Sequence, residues 1–161
     1  MTAQPWLDPV IELIQQEIAL STEITSMLNQ EQEALLHRDA PLLAQHNQQK
    51  NTLLIALDNK HSQLLDIISQ ELSLAKESLI ADQWLQGITD QRKNEVSRLW
   101  HDLHKQLQTL KLKNQQNGLS LNRMVSRSRF LLRLLTGQTQ ASTYDAHGME
   151  SNSRQGSLGK A

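Results

Sequence analysis

The chain has 161 residues, of which 3% are aromatic and none is cysteine, and its formal net charge is −1. That length fits one domain with tails, and the lack of cysteine excludes disulfide and thiol chemistry. A composition led by Leu and Gln, with Gly and Pro sparse up to Thr136, excludes a β-sandwich or an enzyme built on a parallel sheet. The small net charge hides a division. Met1–Asp102 carries 7 basic against 15 acidic residues, a net of −8, whereas Leu103–Ala161 carries 9 against 2, a net of +7. No acid occurs between Asp102 and Asp145. Acidic early elements can complement a basic later helix internally, or the basic stretch can meet an acidic partner. Met1–Trp6 shows neither the basic nor the apolar region of a signal peptide, and no apolar run approaches membrane-spanning length. A soluble, cytoplasmic protein is expected.

In chain order, Met1–Leu7 is a lead-in, and Asp8-Pro9 is a helix start, with Asp as cap and Pro in the first turn. Apolar residues recur at Val10, Ile11, Ile14, Ile18, Ile24, Leu28 and Leu35, predicting a helix over 9–37. Ser21, Thr25 and Gln32 weaken its stripe, while Glu12, Glu17, Glu23, Glu31 and Glu33 decorate it. Asp39-Ala40-Pro41 breaks the pattern, because a helix interior rejects proline. A second helix is predicted over 41–68, with Leu43, Lys50, Leu54, Leu57, His61, Leu64 and Ile68 on one stripe. So short a link makes the two helices an antiparallel hairpin. His61 reads as a partly buried imidazole, since no second ligand stands at i+4. Leu72, Leu79, Ile80, Trp84 and Leu85 predict a short amphipathic helix over 72–86, broken at Gly87.

The longest element is predicted over 90–136, capped by Thr89 or Asp90 and stopped at Gly137. Its seam is Val96, Trp100, Leu103, Leu107, Leu110, Asn114, Asn117, Leu121, Met124, Ser128, Leu131 and Leu135. Nine of these twelve are apolar, and the 3.5-residue period never slips. Asn114 and Asn117 interrupt the seam, as polar residues that pin register or mark a change of partner. Gly118 beside them reads as a close helix approach or a flex point. The expected fold is all-α: an antiparallel helical hairpin plus a long C-terminal helix in a three-helix, coiled-coil-like bundle over 1–137, followed by a disordered tail over 138–161.

Phe130-Leu131-Leu132-Arg133-Leu134-Leu135 is apolar around the helix instead of along one stripe, and a three-helix arrangement of this size covers one face at its end, scarcely two. Arg123, Arg127, Arg129 and Arg133 surround it as an electrostatic rim, a composition suited to a protein interface. Burial against the hairpin loop and homodimerisation are the other ways to cover it. Nucleic acid is disfavoured, because only Phe130 among the arginines is aromatic and the whole domain is not basic. No nucleotide-binding or zinc-protease motif occurs, and His101 and His104 read as a solvated helix face. No enzyme activity, cofactor, metal or small-molecule substrate is expected.

Several segments together resemble the FlgN family of flagellar type III export chaperones. They are Glu33–Asp39 with Leu42-Leu43, Lys50, Leu53-Leu54 and Leu57; Leu99–Leu103; Asn114–Gly118; and Thr143–Gly148. The resemblance implies a non-enzymatic chaperone that binds hook-associated (hook–filament junction) proteins by their C-terminal helical segment and delivers them to the export-gate membrane protein. It places substrate contacts on Leu121, Met124, Val125, Leu131, Leu132 and Leu135, to which the apolar helix end adds Phe130 and Leu134. It links the tail tyrosine, Tyr144, to docking on the gate.

Overall fold

The structure, a computed structural model, describes residues 3–80 and 82–135. Three long helices, α1 (Leu7–His37), α2 (Ala40–Leu72) and α3 (Lys93–Leu135), hold most of the described chain. The link from α2 to α3 carries two short 3₁₀ segments, Lys76–Ile80 and Asp82–Gly87. There is no strand among the described residues, so the fold is all-α, a hairpin followed by one long helix. The chain divides into two compact units, Met1–Arg123 and Met124–Ala161.

In the first unit α1 begins at Leu7, after Trp6, and no side chain caps it. Asp8 is therefore not the cap that the Asp-Pro pair suggests; it forms an ion pair with Arg92. Pro9 still falls in the first turn, where helix N–H groups have no intrahelical acceptor, so it costs the helix no hydrogen bond. At the other end Arg38 turns left-handed, at φ 55°, and Asp39 N–H donates to Ala34 O at 3.0 Å. Asp39 then caps α2, accepting from the Leu42 N–H at 3.1 Å, with Pro41 in the first turn. Two linking residues leave α2 no course but back along α1.

Side-chain pairs give the register. Glu17 meets His61 and Glu31 meets Lys50, so α2 descends as α1 rises. Thr22 meets Gln106 and Asn29 Oδ1 accepts from Lys113 Nζ, each pair 84 residues apart, so α3 runs parallel to α1. The link between α2 and α3 must therefore return the chain to the end where α1 begins. A clamp secures that end: Gln4 N–H donates to Asp90 at 2.9 Å, Thr89 N–H donates to Gln4 Oε1 at 2.9 Å, and Arg92 donates to Asp90 and Asp8. The Arg92 guanidinium, with the backbone N–H groups of Gln4 and Arg92, holds the Asp90 carboxyl far below the usual carboxylate range.

The link is not the amphipathic α-helix expected over 72–86. Ser73, at φ 52°, ends α2, and the segment folds as 3₁₀ turns that bury Leu79, Trp84 and Leu85. Burying one such side chain contributes roughly 1.5–3 kcal/mol, more than the roughly 0.5–1.5 kcal/mol net of a backbone hydrogen bond forgone. Trp84 meets Trp100 edge to face, with ring centroids 5.1 Å apart, and Trp100 Nε1 donates to Asp82 at 3.0 Å. Val10, Ile14, Leu64, Ile68, Val96 and Leu103 are among the residues that join them in this first cluster. A second, smaller one gathers Ile24, Leu28, Leu57 and Leu110.

Two acids that read as surface decoration are inside. Glu17 and Glu31 fall on the seam of α1, which steps through Val10, Ile14, Glu17, Ser21, Ile24, Leu28 and Glu31, and all seven are buried. A 3.5-residue spacing counts positions, not polarity, so charged residues can occupy it wherever the facing helices supply partners.

Candidate partner-binding site

Within the first unit the seam of α3 is covered. Val96, Trp100, Leu103 and Leu110 are buried, and Leu107, Asn114 and Leu121 are half-buried. Asn117 is buried and its Nδ2 donates to Leu28 O at 2.8 Å and to Glu31 Oε2 at 2.9 Å. Glu31 Oε1 accepts from Lys50 Nζ at 2.7 Å. One polar side chain from each helix thus meets at a single level. Beside this layer Gly118 faces open space, with no atom within 4 Å of where a Cβ would stand, so close helix approach does not explain it. Arg123 closes the unit and is exposed.

In the second unit Met124 is half-buried and the remaining described side chains are exposed. Phe130, Leu131, Leu132, Leu134 and Leu135 lie between 49% and 85% exposed, and Val125 is exposed beside them. At about 100° per residue, Phe130 and Leu134 share one stripe, Leu131 and Leu135 a second, and Leu132 with Val125 a third, an arc of about 200°. A helix packed on one neighbour needs an apolar stripe of only about 100°. The arc is therefore an exposed apolar surface of the kind that marks an interaction site. Arg127, Arg129 and Arg133 are interleaved and exposed. Every charged residue from Lys105 to Arg133 is basic, so the surface is positive throughout.

Tyr144 lies outside the described residues, as do Thr136, Gly137 and the predicted tail. His101 is exposed; its Nδ1 approaches Ser97 O at 2.6 Å and its Nε2 lies 3.1 Å from Asp82. The Ser97 carbonyl, more than the Asp82 charge, raises its pKa above 6.5. His104 packs against Trp100 with the rings tilted, centroids 4.3 Å apart. No group of three metal-ligating side chains comes together among the described residues. A groove of about 590 Å³ runs between α1 and α3, past Ile18, Thr22, Thr25, Leu99, Gln106 and Thr109. Its three threonine hydroxyls donate to carbonyls one turn back, at 2.8 to 3.0 Å, and so are occupied by their own helices. No described helix is long and apolar enough to cross a membrane.

The polar partners Glu17–His61 and Glu31–Lys50 were not legible as pairs in the sequence. The signal was there in part: acids on the α1 seam, fourteen residues apart, opposite a histidine and a lysine already placed on the α2 stripe.

No curated protein and no solved structure matches the chain. The model of the family described as FlgN protein matches residues 1–152, which takes in every described element from the Gln4 clamp to Leu135. The chain belongs to the FlgN family, a family of chaperones for flagellar export.

Proposed function

We propose that this chaperone acts in the cytoplasm, holds the C-terminal helical segment of hook-associated proteins on the end of α3, and delivers them to the export-gate membrane protein. The observation that carries this reading is the exposed apolar arc of Phe130, Leu131, Leu132, Leu134 and Leu135 in a stretch whose charges are all basic. An amphipathic partner helix laid on such a face is a recurring recognition mode, with the apolar contacts supplying affinity and the charges orientation. Leu121, Met124 and Val125 would add to the contact, and Arg123, Arg127, Arg129 and Arg133 would line its rim. Family membership supports the class of substrate. Tyr144 is the residue proposed to dock on the gate, with Asn114 and Asn117 setting the register of α3.

Calorimetric titration with the C-terminal segment of a junction protein from the same organism tests the reading. A saturable 1:1 transition at micromolar or tighter affinity, lost on truncation after Asn117, is expected. No heat and no co-elution would withdraw the substrate assignment. Tyr144→Ala should then spare substrate binding and reduce export; unchanged export would remove the tail from the mechanism. The same exposed side chains would also serve a second copy of the chain, and light scattering separates the two. A concentration-independent dimer with Leu121–Leu135 in its interface would favour self-association.

A further inference from the structure

The interior of the first unit is interrupted at two levels. Between the large apolar cluster and the small one stand Glu17 and Ser21 of α1, neither with any exposed surface. His61 of α2 reaches across, its Nδ1 2.9 Å from Glu17 Oε2. Glu17 Oε1 and Ser21 Oγ are buried without a hydrogen-bond partner among the described residues. At the far side of the small cluster lies the second level, Glu31 with Lys50 and Asn117. Ile24, Leu28, Leu57 and Leu110 are therefore bracketed by two buried carboxylates. A carboxylate without solvent persists in a fold when an opposite charge and hydrogen bonds compensate for its lost hydration.

The two compensations differ in kind. An ammonium ordinarily keeps its charge across the physiological range, whereas an imidazole gains or loses its charge within it. His61 is also reachable. Its side chain is 34% exposed, and it borders an opening of about 250 Å³ lined by Glu17, Leu54, Leu57, Asp58 and Leu107. A proton can exchange there without the helices parting.

We propose that Glu17 and His61 form a pH-operated latch between α1 and α2, closed while the imidazole is protonated and released when it is not, loosening the small cluster between the polar levels. The hydrogen bond to Glu17 raises the His61 pKa above 6.5; burial opposes this, and the charges of Glu17 and Asp58 add to it. The third helix meets the site with Leu107, which carries no charge. Because the folded-state pKa is raised, the latch is fully closed below about pH 6.5 and is lost as pH rises through the raised value. Above it the buried carboxylate has no counter-charge, and the partnerless Oε1 becomes the weak point. The region that loosens is the one where Leu110 holds α3 to the hairpin, so the latch sets how firmly α3 is gripped at mid-bundle.

Two measurements on the full chain test this. An NMR titration of the His61 ring should place its midpoint above 6.5, and Glu17→Gln should return it toward the ordinary value. A midpoint at or below 6.5 in the unmodified chain overturns the latch. Amide exchange, corrected for its intrinsic pH dependence, should show protection of Ile24, Leu28, Leu57 and Leu110 falling on going from pH 6 to 8.5. The fall should be about tenfold for each unit by which the pKa is raised, while Leu64 and Leu103 change less. The excess loss should vanish in both Glu17→Gln and His61→Gln. Equal loss in both clusters, or an unchanged pH response in Glu17→Gln, overturns the proposal even where His61→Gln does not fold.

Discussion

Val96–Leu110 and Phe130–Leu135 belong to one helix, and both are rich in apolar side chains. In the first stretch Val96, Leu99, Trp100, Leu103 and Leu110 are buried; in the second, five apolar side chains are exposed. The difference lies in what is available to cover them. Along the first stretch α1 keeps pace with α3 at a constant separation of 84 residues, and α2 closes the other side. The second stretch carries its apolar residues on an arc about twice the width that one neighbouring helix covers. Period alone assigns residues to a face. Burial requires a second face of matching width, and the five apolar side chains of the second stretch remain exposed.

Substitutions can separate the two regions. The largest expected effect is in the covered stretch: Leu103→Ala should lower unfolding free energy by about 2–5 kcal/mol in denaturant titration, through lost transfer energy and a residual cavity. A loss under about 1 kcal/mol would mean that the first cluster is not the anchor of the bundle. Next comes the polar level between the regions. Asn117→Ala removes the donor that Leu28 O and Glu31 share, and should cost about 1–3 kcal/mol. Asn114→Ala, at a half-buried position, should cost less. Gly118→Ala has the opposite sign. With open space at its Cβ position, it should stabilise the chain by about 0.5–1 kcal/mol, and any destabilisation would show that this point of α3 must bend. The smallest change in stability belongs to the exposed stretch. Leu132→Asp and Leu135→Asp should each shift unfolding free energy by no more than about 0.5 kcal/mol and leave helical circular dichroism intact, while abolishing partner binding. Binding that survives both changes would place the interface elsewhere.

The same contrast shows what could be read in advance. The hairpin, the break at Asp39-Ala40-Pro41 and the long helix follow from local signals, such as a proline that cannot continue a helix and an unbroken seam. The exposed helix end was legible too, because five apolar residues in six cannot share one stripe. The 3₁₀ link was not. The spacing of Leu79, Trp84 and Leu85 fits an α-helix equally well, and the two-tryptophan contact that tightens the segment involves Trp100, which is distant in sequence. Glu17 and Glu31 were misplaced for a related reason. A carboxylate on a seam is read as solvated unless its counter-charge is known, and His61 and Lys50 come from the other arm of the hairpin.

The sequence by itself determined that the chain is helical, where its helices break, and that the end of α3 has more apolar surface than one neighbour can cover. Each of these depends on residues within a few turns of one another. Only the tertiary structure decided that α3 runs parallel to α1, that two carboxylates are buried between the helices, and that His61 is the group compensating one of them. Those outcomes depend on which faces meet across the bundle, where the free energy of burying a charge is set by partners 19 and 44 residues away.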